Sequence, residues 1–423
     1  MSARIKVAIL LGAPLSRQNL ERTGIPWLSL HFDVVVFNCL PWLDRSESGM
    51  HHEQAKWEPL ETVANARDFR QALARHRPNY SLDFIGLCRL TPEIQHLLAQ
   101  AHTHFVVQKS GSLPTPTLAS RLVWRLRLLV GRKSGLAPAM AAIQAIVPSA
   151  ADAITPVSPP SLLLRLAERL RLRASLLAPD LTLAAGKASL DFFSGRARQV
   201  LWIGSQDYHT HRQAVNAKAL QDQLPERYIV FIDDNLPFAS DWSLLGMAPP
   251  VTPDTYYSAL RGFLSRLELA WNLPVIVAGH PSGKLDERLR KGFGQRLLLF
   301  GQTAQLVKNA QAVLVHASTA VSFAVLDRKP LLFLTSDELR EGSFGLQIQT
   351  MAKRLGLRPL NMDSATPPPG IDALPLDEGR YRAYEEDFLC ASYAGESAPW
   401  QIFTQHLLSQ QQGDAGRGGK VEC

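Results

Sequence analysis

Three short stretches in the second half of the chain hold the residue types that could move protons or hold a phosphate. The first is Val230-Phe-Ile-Asp-Asp-Asn-Leu-Pro-Phe238, two carboxylates directly behind an apolar run. A carboxylate at the end of a strand could act as a general base or as a nucleophile. It could equally cap the turn that follows. The second is Val275-Ile-Val-Ala-Gly-His-Pro-Ser-Gly-Lys284. Here His280, Ser282 and Lys284 share a short loop with free backbone N–H groups, a combination suited to a phosphate. The third is Val313-Leu-Val-His-Ala-Ser-Thr-Ala-Val-Ser322, ahead of the helical run Phe323-Ala-Val-Leu326. Ser318 or Thr319 would cap that helix, with hydroxyl and N–H groups turned toward an anion. A lone cap is common. Three phosphate-friendly loops on one sheet edge are not explained by capping.

The elements that must position these loops read as α/β. Strand candidates in this half are Val200–Gly204, Tyr228–Ile232, Val275–Ala278, Leu297–Phe300, Ala312–Val315 and Leu331–Leu334, with helical stretches between them. Ligands of open α/β sheets bind at the carboxyl ends of the strands, where all three loops fall. The first half shows the same alternation, with strand candidates in Arg4–Gly12, Asp33–Phe37, Asp83–Cys88 and Thr103–Val107. Helical patterns cover Thr62 to Arg75 and Pro92 to His102. Such alternation argues for parallel sheets covered by helices. The expected division is a Rossmann-like domain over 1–197 with a basic helical insertion at about 118–178, and a second Rossmann-like domain over 198–376. Helices over 377–412 and a disordered tail over 413–423 complete it. Two Rossmann-like domains facing across a cleft, with terminal helices, describe the GT-B architecture of nucleotide-sugar glycosyltransferases. The same outline fits sugar-nucleotide epimerases, and fold alone does not choose between them.

A chain of 423 residues, 46% hydrophobic and 20% charged, is long enough for two or three globular domains. Its four cysteines, Cys39, Cys88, Cys390 and Cys423, lie far apart, which excludes a zinc ribbon or a disulfide scaffold and fits a reducing compartment. The first apolar run is strand-sized and leads into Gly12 without a cleavage-site pattern, and the longest nearly uncharged stretch, Ser134 to Leu164, is broken by prolines and carries Asp152. The expected location is therefore cytoplasmic. The net charge of +7 is local. Residues 118–198 carry twelve Lys/Arg against four Asp/Glu, a local +8, and the remainder nets −1. That implies an anionic partner at one segment. Two Arg/Leu-rich helices there could rest on anionic lipid headgroups, or simply pack on the first sheet with arginines outward. A nucleic-acid partner is not expected, because no recognisable module is present.

The order acidic pair, His-Pro, Ser-Thr resembles the three motifs of bacterial GT-B sialyltransferases. The wider text is similar to the retaining β-Kdo transferases of bacterial O-antigen and capsule assembly. The similar stretches run from Phe231-Ile-Asp-Asp-Asn-Leu-Pro-Phe through Thr255-Tyr-Tyr, His280-Pro and Gly301-Gln-Thr to Leu314-Val-His-Ala-Ser-Thr-Ala, Phe323-Ala-Val-Leu and Lys329-Pro. The resemblance covers about residues 200–340 and is thinner in the first half, through Leu15-Ser-Arg, Glu21-Arg-Thr-Gly-Ile and Pro179-Asp-Leu. It implies transfer of Kdo from CMP-Kdo to a glycan or lipid-linked glycan acceptor. His280, Ser282, Lys284, Gly301, Thr303, Ser318 and Thr319 would hold the CMP-sugar. Asp233 would act at the anomeric carbon, as nucleophile in a retaining enzyme or as base in an inverting CMP-sialic acid type. Asp234 follows it immediately and competes for that place. Asn235 stands where the sialyltransferase motif has glycine, which favours the Kdo reading.

No divalent metal or other cofactor is expected, since adjacent aspartates after a strand diverge and no further ligand is evident. Arg17, Asn19 and Arg22, in the loop after the first strand, are candidates for the acceptor side. The paired histidines His51-His52 and His209-Thr-His211 lack complementary ligands. Beyond the transferases, an epimerase would need acid/base carboxylates in both halves. A non-enzymatic polysaccharide-assembly scaffold would keep the fold and lose the chemistry. Contact with the inner face of the cytoplasmic membrane would be peripheral.

Overall fold

Strands of this protein alternate their side chains between two layers of helices, and the sequence shows why. In β1 (Lys6–Leu11), Val7, Ile9 and Leu11 join one buried cluster with Leu28 and Phe403, whereas Ala8 and Leu10 join another with Phe69 and Leu73. Both faces of the strand are covered, so its apolar run is continuous rather than alternating with polar residues. The computed structural model describes residues 4–43, 55–117, 121, 175–191, 193–214, 224–239, 242, 247–284, 286–391 and 397–417. The chain divides into two units. One holds the described residues up to Gly111, those from 175 to His209 and those from Cys390 onward; the other holds those from Ser112 to 121 and from Thr210 to Leu389.

The first unit is built on a seven-stranded sheet. Its strands after β1 are β2 (Asp33–Asn38), β3 (Leu60–Thr62), β4 (Tyr80–Phe84), β5 (His104–Lys109), β6 (Leu181–Ala184) and β7 (Gln199–Trp202), in the order 3-2-1-4-5-6-7. The second has β8 (Ile229–Ile232), β9 (Val275–Gly279), β10 (Leu298–Phe300), β11 (Ala312–Val315), β12 (Leu331–Thr335) and β13 (Leu360–Asn361), in the order 10-9-8-11-12-13. Every pairing is parallel. Each sheet thus follows the 3-2-1-4-5-6 Rossmann order, with the order reversing beside its first strand. The expected α/β class with two Rossmann-like domains is what the chain forms.

Several expected boundaries move. The run expected to open the second domain, Val200–Gly204, pairs instead with β6 as the last strand of the first sheet, so the division at 197/198 is displaced to near His209. The strand expected at Asp83–Cys88 lies earlier, at Tyr80–Phe84, because Asp83 accepts the Ile85 and Gly86 N–H groups and turns the chain. The terminal helices do not act as one layer. Glu378–Tyr384 packs on the second core through Tyr381 and Tyr384, and Pro399–Arg417 packs on the first through Phe403 and Leu407. That last helix also runs through the start of the tail expected over 413–423, of which 418–423 lie outside the described residues. Most of the basic insertion, residues 122–174, lies outside them too, as do His51 and His52. Among the described residues, no helix is long and apolar enough to cross a membrane.

Candidate active site

In the second sheet β8 lies between β9 and β11, the two strands whose following loops carry the other motifs. The switch point therefore gathers all three motifs at one carboxyl edge. All four residues of β8 and of β11 are buried, as are all five of β9, so these strands form a rigid floor. β9 ends in Gly279 for a packing reason: a Cβ there would come within 2.5 Å of the Phe300 ring on β10.

The two aspartates turn to different neighbours. Asp233 is only 2% exposed and is cradled by backbone donors: the Asn235 N–H reaches Oδ1 at 2.8 Å and the His280 N–H reaches Oδ2 at 3.3 Å. It therefore ties the first motif to the second. Asp234 is partly exposed and faces the third motif, accepting the Ala317 N–H at 3.1 Å and the Ser318 hydroxyl. Burial pushes the Asp233 carboxyl up to about 7, against two backbone N–H bonds that lower it and the Asp234 charge that raises it. Burial also raises Asp234, to about 6, held down by the Ala317 and Ser318 hydrogen bonds. Burial raises both carboxyls, and only Asp233 is raised further by the charge of its neighbour.

Asn235 has a φ of 49°, in the left-handed region that asparagine tolerates better than most side chains. The turn needs positive φ at this place, which accounts for asparagine standing where the resembled motif has glycine. Phe238 completes the loop, stacking on Tyr257 and lying beneath the Arg288 guanidinium at 4.2 Å.

The residues expected on the donor side follow β9, β10 and β11. His280 is partly exposed directly after β9, and Lys284 is exposed at the end of the same loop. Ser282 lies in the one-turn helix Pro281–Gly283 between them, and its side chain lies outside the described residues. Ser318 is partly exposed and Thr319 exposed, after β11. Neither is the direct cap of the following helix, Val321–Leu326, whose cap is Ala320 without a side-chain bond. Ser318 instead accepts the Ala320 N–H at 3.3 Å. The helix has only six residues, so hydroxyls rather than a long helix dipole face the loop. Gly301 and Thr303 follow β10, the edge strand beyond β9, and Gly301 takes a φ of 74° with open space beside it.

The acceptor-side candidates belong to the first unit. Arg17, Asn19 and Arg22 lie on a helix, Arg17–Thr23, rather than in a loop. The two arginines are exposed, and Asn19 is held by its own segment, donating from Nδ2 to the Pro14 carbonyl at 2.7 Å.

Sequence reasoning passed over a buried pair beneath the aspartates. His316, directly after β11, is 0% exposed, with Nδ1 at 2.8 Å from the Leu334 carbonyl and Nε2 at 3.0 Å from the Tyr256 hydroxyl. The carbonyl can only accept, so Nδ1 carries the proton and Nε2 accepts from Tyr256. Burial drives the His316 pKa down to about 4, so the ring is neutral. Burial raises Tyr256 well above its ordinary value, reinforced by the Asp233 charge. Its phenol stays protonated. Both residues stand inside stretches that carried the resemblance, but a histidine closing a fully apolar strand resembles core filling.

No protein-family model matches the chain, and no curated protein matches it. Among solved structures it is similar to the UDP-GlcNAc 2-epimerase from Methanocaldococcus jannaschii, at 8% identity over 96% of this chain and 99% of that one, with a TM-score of 0.43. It is also similar to S. aureus MnaA in its UDP co-structure, at 13% identity over 96% and 97% with a TM-score of 0.45. CalG4, the calicheamicin glycosyltransferase, matches over 100% of both chains at 13% identity, with a TM-score of 0.46. Similarity at this level decides neither a reaction nor a donor.

Proposed function

We propose that this protein is a glycosyltransferase that transfers Kdo from CMP-Kdo to a glycan acceptor in bacterial surface-polysaccharide assembly, with retention of configuration. The observation that carries the proposal is the split between the aspartates at the switch point. A nucleophile needs an ionised oxygen that a substrate carbon can reach, and Asp234 is the partly exposed member of the pair. Asp233 has both oxygens occupied by backbone N–H groups and almost no exposure. The role first placed on Asp233 therefore passes to Asp234, and Asp233 becomes the residue that positions the His280 loop.

In the first step an Asp234 oxygen bonds to the anomeric carbon while the bond to the phosphate oxygen breaks. CMP departs with the electron pair and a glycosyl-enzyme ester remains. Negative charge grows on the departing phosphate, and His280, Lys284, Thr319 and Ser318 would receive it, Ser318 turning its single O–H from Asp234 to the phosphate. No divalent metal enters this scheme. In the second step the acceptor hydroxyl attacks the same carbon from the face that CMP left, gives its proton to water, and releases Asp234 as a carboxylate. Two inversions give retention.

An inverting reaction on a CMP-sialic acid type of donor is the second reading. A carboxyl at about 6 also suits a general base near neutral pH, which favours Asp234 in that role as well. Acceptor contacts are proposed for the first unit, with Arg17 and Arg22 as its exposed cations, and peripheral contact with an anionic membrane surface for the basic segment.

CMP release from CMP-Kdo in the presence of glycan acceptors tests the donor, with CMP-sialic acid and UDP-GlcNAc alongside. The proposal expects turnover with CMP-Kdo, lowered roughly 100-fold in kcat by His280→Ala or Ser318→Ala. Turnover of UDP-GlcNAc alone would overturn it.

A further inference from the structure

A polar pocket of about 720 Å³ opens beside the edge strand β13, and none of its lining residues belongs to the three loops at the switch point. Arg340, Lys353, Arg358 and Arg380 line it, and no acidic residue does. Two of the four cations have partners. Arg340 lies 3.8 Å from Asp337 and Arg380 lies 3.1 Å from Asp377, in pairs that are more than half exposed. Such surface pairs contribute little and exchange readily for a better anion. Among the described residues, neither Lys353 nor Arg358 makes an ion pair.

Two features distinguish the pocket from a patch of surface arginines. Thr335, the last residue of β12, lines it and is 6% exposed, and its buried hydroxyl has no hydrogen-bond partner among the described residues. A buried hydroxyl left unpaired is costly, and a ligand oxygen would relieve the cost. Arg380, in turn, is held in place: its side chain lies across Gly356, where a Cβ would come within 2.8 Å of Cδ and Nε. Gly356 takes a φ of 76° because it closes the helix Ser343–Arg354, its N–H reaching the Lys353 carbonyl and the Leu357 N–H the Ala352 carbonyl.

We propose that this pocket binds a multiply phosphorylated small molecule. A single phosphate is satisfied by one or two guanidinium forks. Four cations around a cavity of this volume fit an anion with two or more phosphate groups, and Arg358 and Lys353 supply charge that no carboxylate among the described residues already neutralises. The site is separate from donor chemistry and stands whether or not the Kdo assignment does.

Isothermal titration of the full chain with inorganic pyrophosphate tests it. Saturable one-to-one binding is expected, weaker with inorganic phosphate. A Lys353→Ala/Arg358→Ala double variant should lose roughly tenfold or more in affinity, the loss of one to two charge-assisted hydrogen bonds. Thr335→Val should weaken pyrophosphate binding without lowering the stability of the free protein, since it removes a hydroxyl that has no partner. His280→Ala/Ser318→Ala should leave in place the binding component that the Lys353/Arg358 variant loses. Absence of saturable binding overturns the proposal, as does equal affinity for phosphate and pyrophosphate. Loss in the His280/Ser318 variant with no loss in the Lys353/Arg358 variant would move the anion to the switch point. Retention of the chain on phosphatidylserine vesicles, undiminished by pyrophosphate and abolished in the Lys353/Arg358 variant, would assign the pocket to a lipid surface instead.

Discussion

Replacing Asp233 by asparagine should change how folding stability depends on pH, in a direction fixed by the cradle around it. The carboxyl rises from an ordinary 3.8 to about 7 on folding, chiefly through burial. Between these values the folded state holds about one more proton than the unfolded state, so stability falls as pH rises. At ~1.4 kcal/mol per pH unit, an elevation from 3.8 to about 7 costs roughly 4 kcal/mol by neutral pH. The full stability is present below the unfolded value and has been lost above the folded one. Asparagine cannot ionise, so this loss disappears in Asp233→Asn. The variant has its own cost, because one amide oxygen faces two N–H donors, from Asn235 and His280. That cost is about 1–3 kcal/mol. It does not vary with pH and drops out of the slope. Urea unfolding from about pH 4 to about pH 7, read by pulsed hydrogen exchange of the β8 and β11 peptides, isolates the second unit. The wild type should lose several kcal/mol more than the variant across this range. Parallel slopes in the two proteins would refute the reasoning, because Asp233 would then ionise as an exposed carboxyl does.

Other substitutions test the rest of the site. Tyr256→Phe leaves the buried Nε2 of His316 without its donor and should destabilise the chain by about 1–3 kcal/mol, measured by denaturant unfolding. Asn235→Val should cost roughly 1–2 kcal/mol more than Asn235→Gly, measured by denaturant unfolding, because only the valine resists the positive φ of the turn. Ser318→Ala removes a hydroxyl that lowers the Asp234 pKa, so the acid limb of the kcat/KM profile, set by a group at about 6, should move to higher pH.

How much of this was legible in the sequence depends on what each residue's signal measures. Apolar runs such as Val275–Gly279 and Leu331–Thr335 announced buried parallel strands because both their faces are covered. The same runs do not say which sheet they join. Gln199–Trp202 reads like any short strand, and only pairing with β6 places it in the first sheet. The three loops were legible because polar residues after apolar runs must emerge at a sheet edge, and the Rossmann order puts those edges side by side. The choice between Asp233 and Asp234 was not legible. It depends on which carboxylate meets the His280 N–H and which meets Ala317 and Ser318, contacts that span 47 and 83 residues of chain. His316 and Tyr256 were hidden for a related reason, since a neutral buried imidazole is revealed only by partners on other elements. The β13 pocket collects its arginines and lysine from separate helices and loops, and no sequence spacing marks it.

Intact-protein mass after incubation with freshly generated CMP-Kdo tests the central claim most directly, with Asp234→Ala and Asp233→Asn alongside the wild type. The account predicts a gain of one Kdo residue on the wild type, retained at least in part by Asp233→Asn, absent from Asp234→Ala and mapped by peptide digestion to Asp234. An adduct that persists in Asp234→Ala, or wild-type turnover of CMP-Kdo with no adduct at any time, would contradict it.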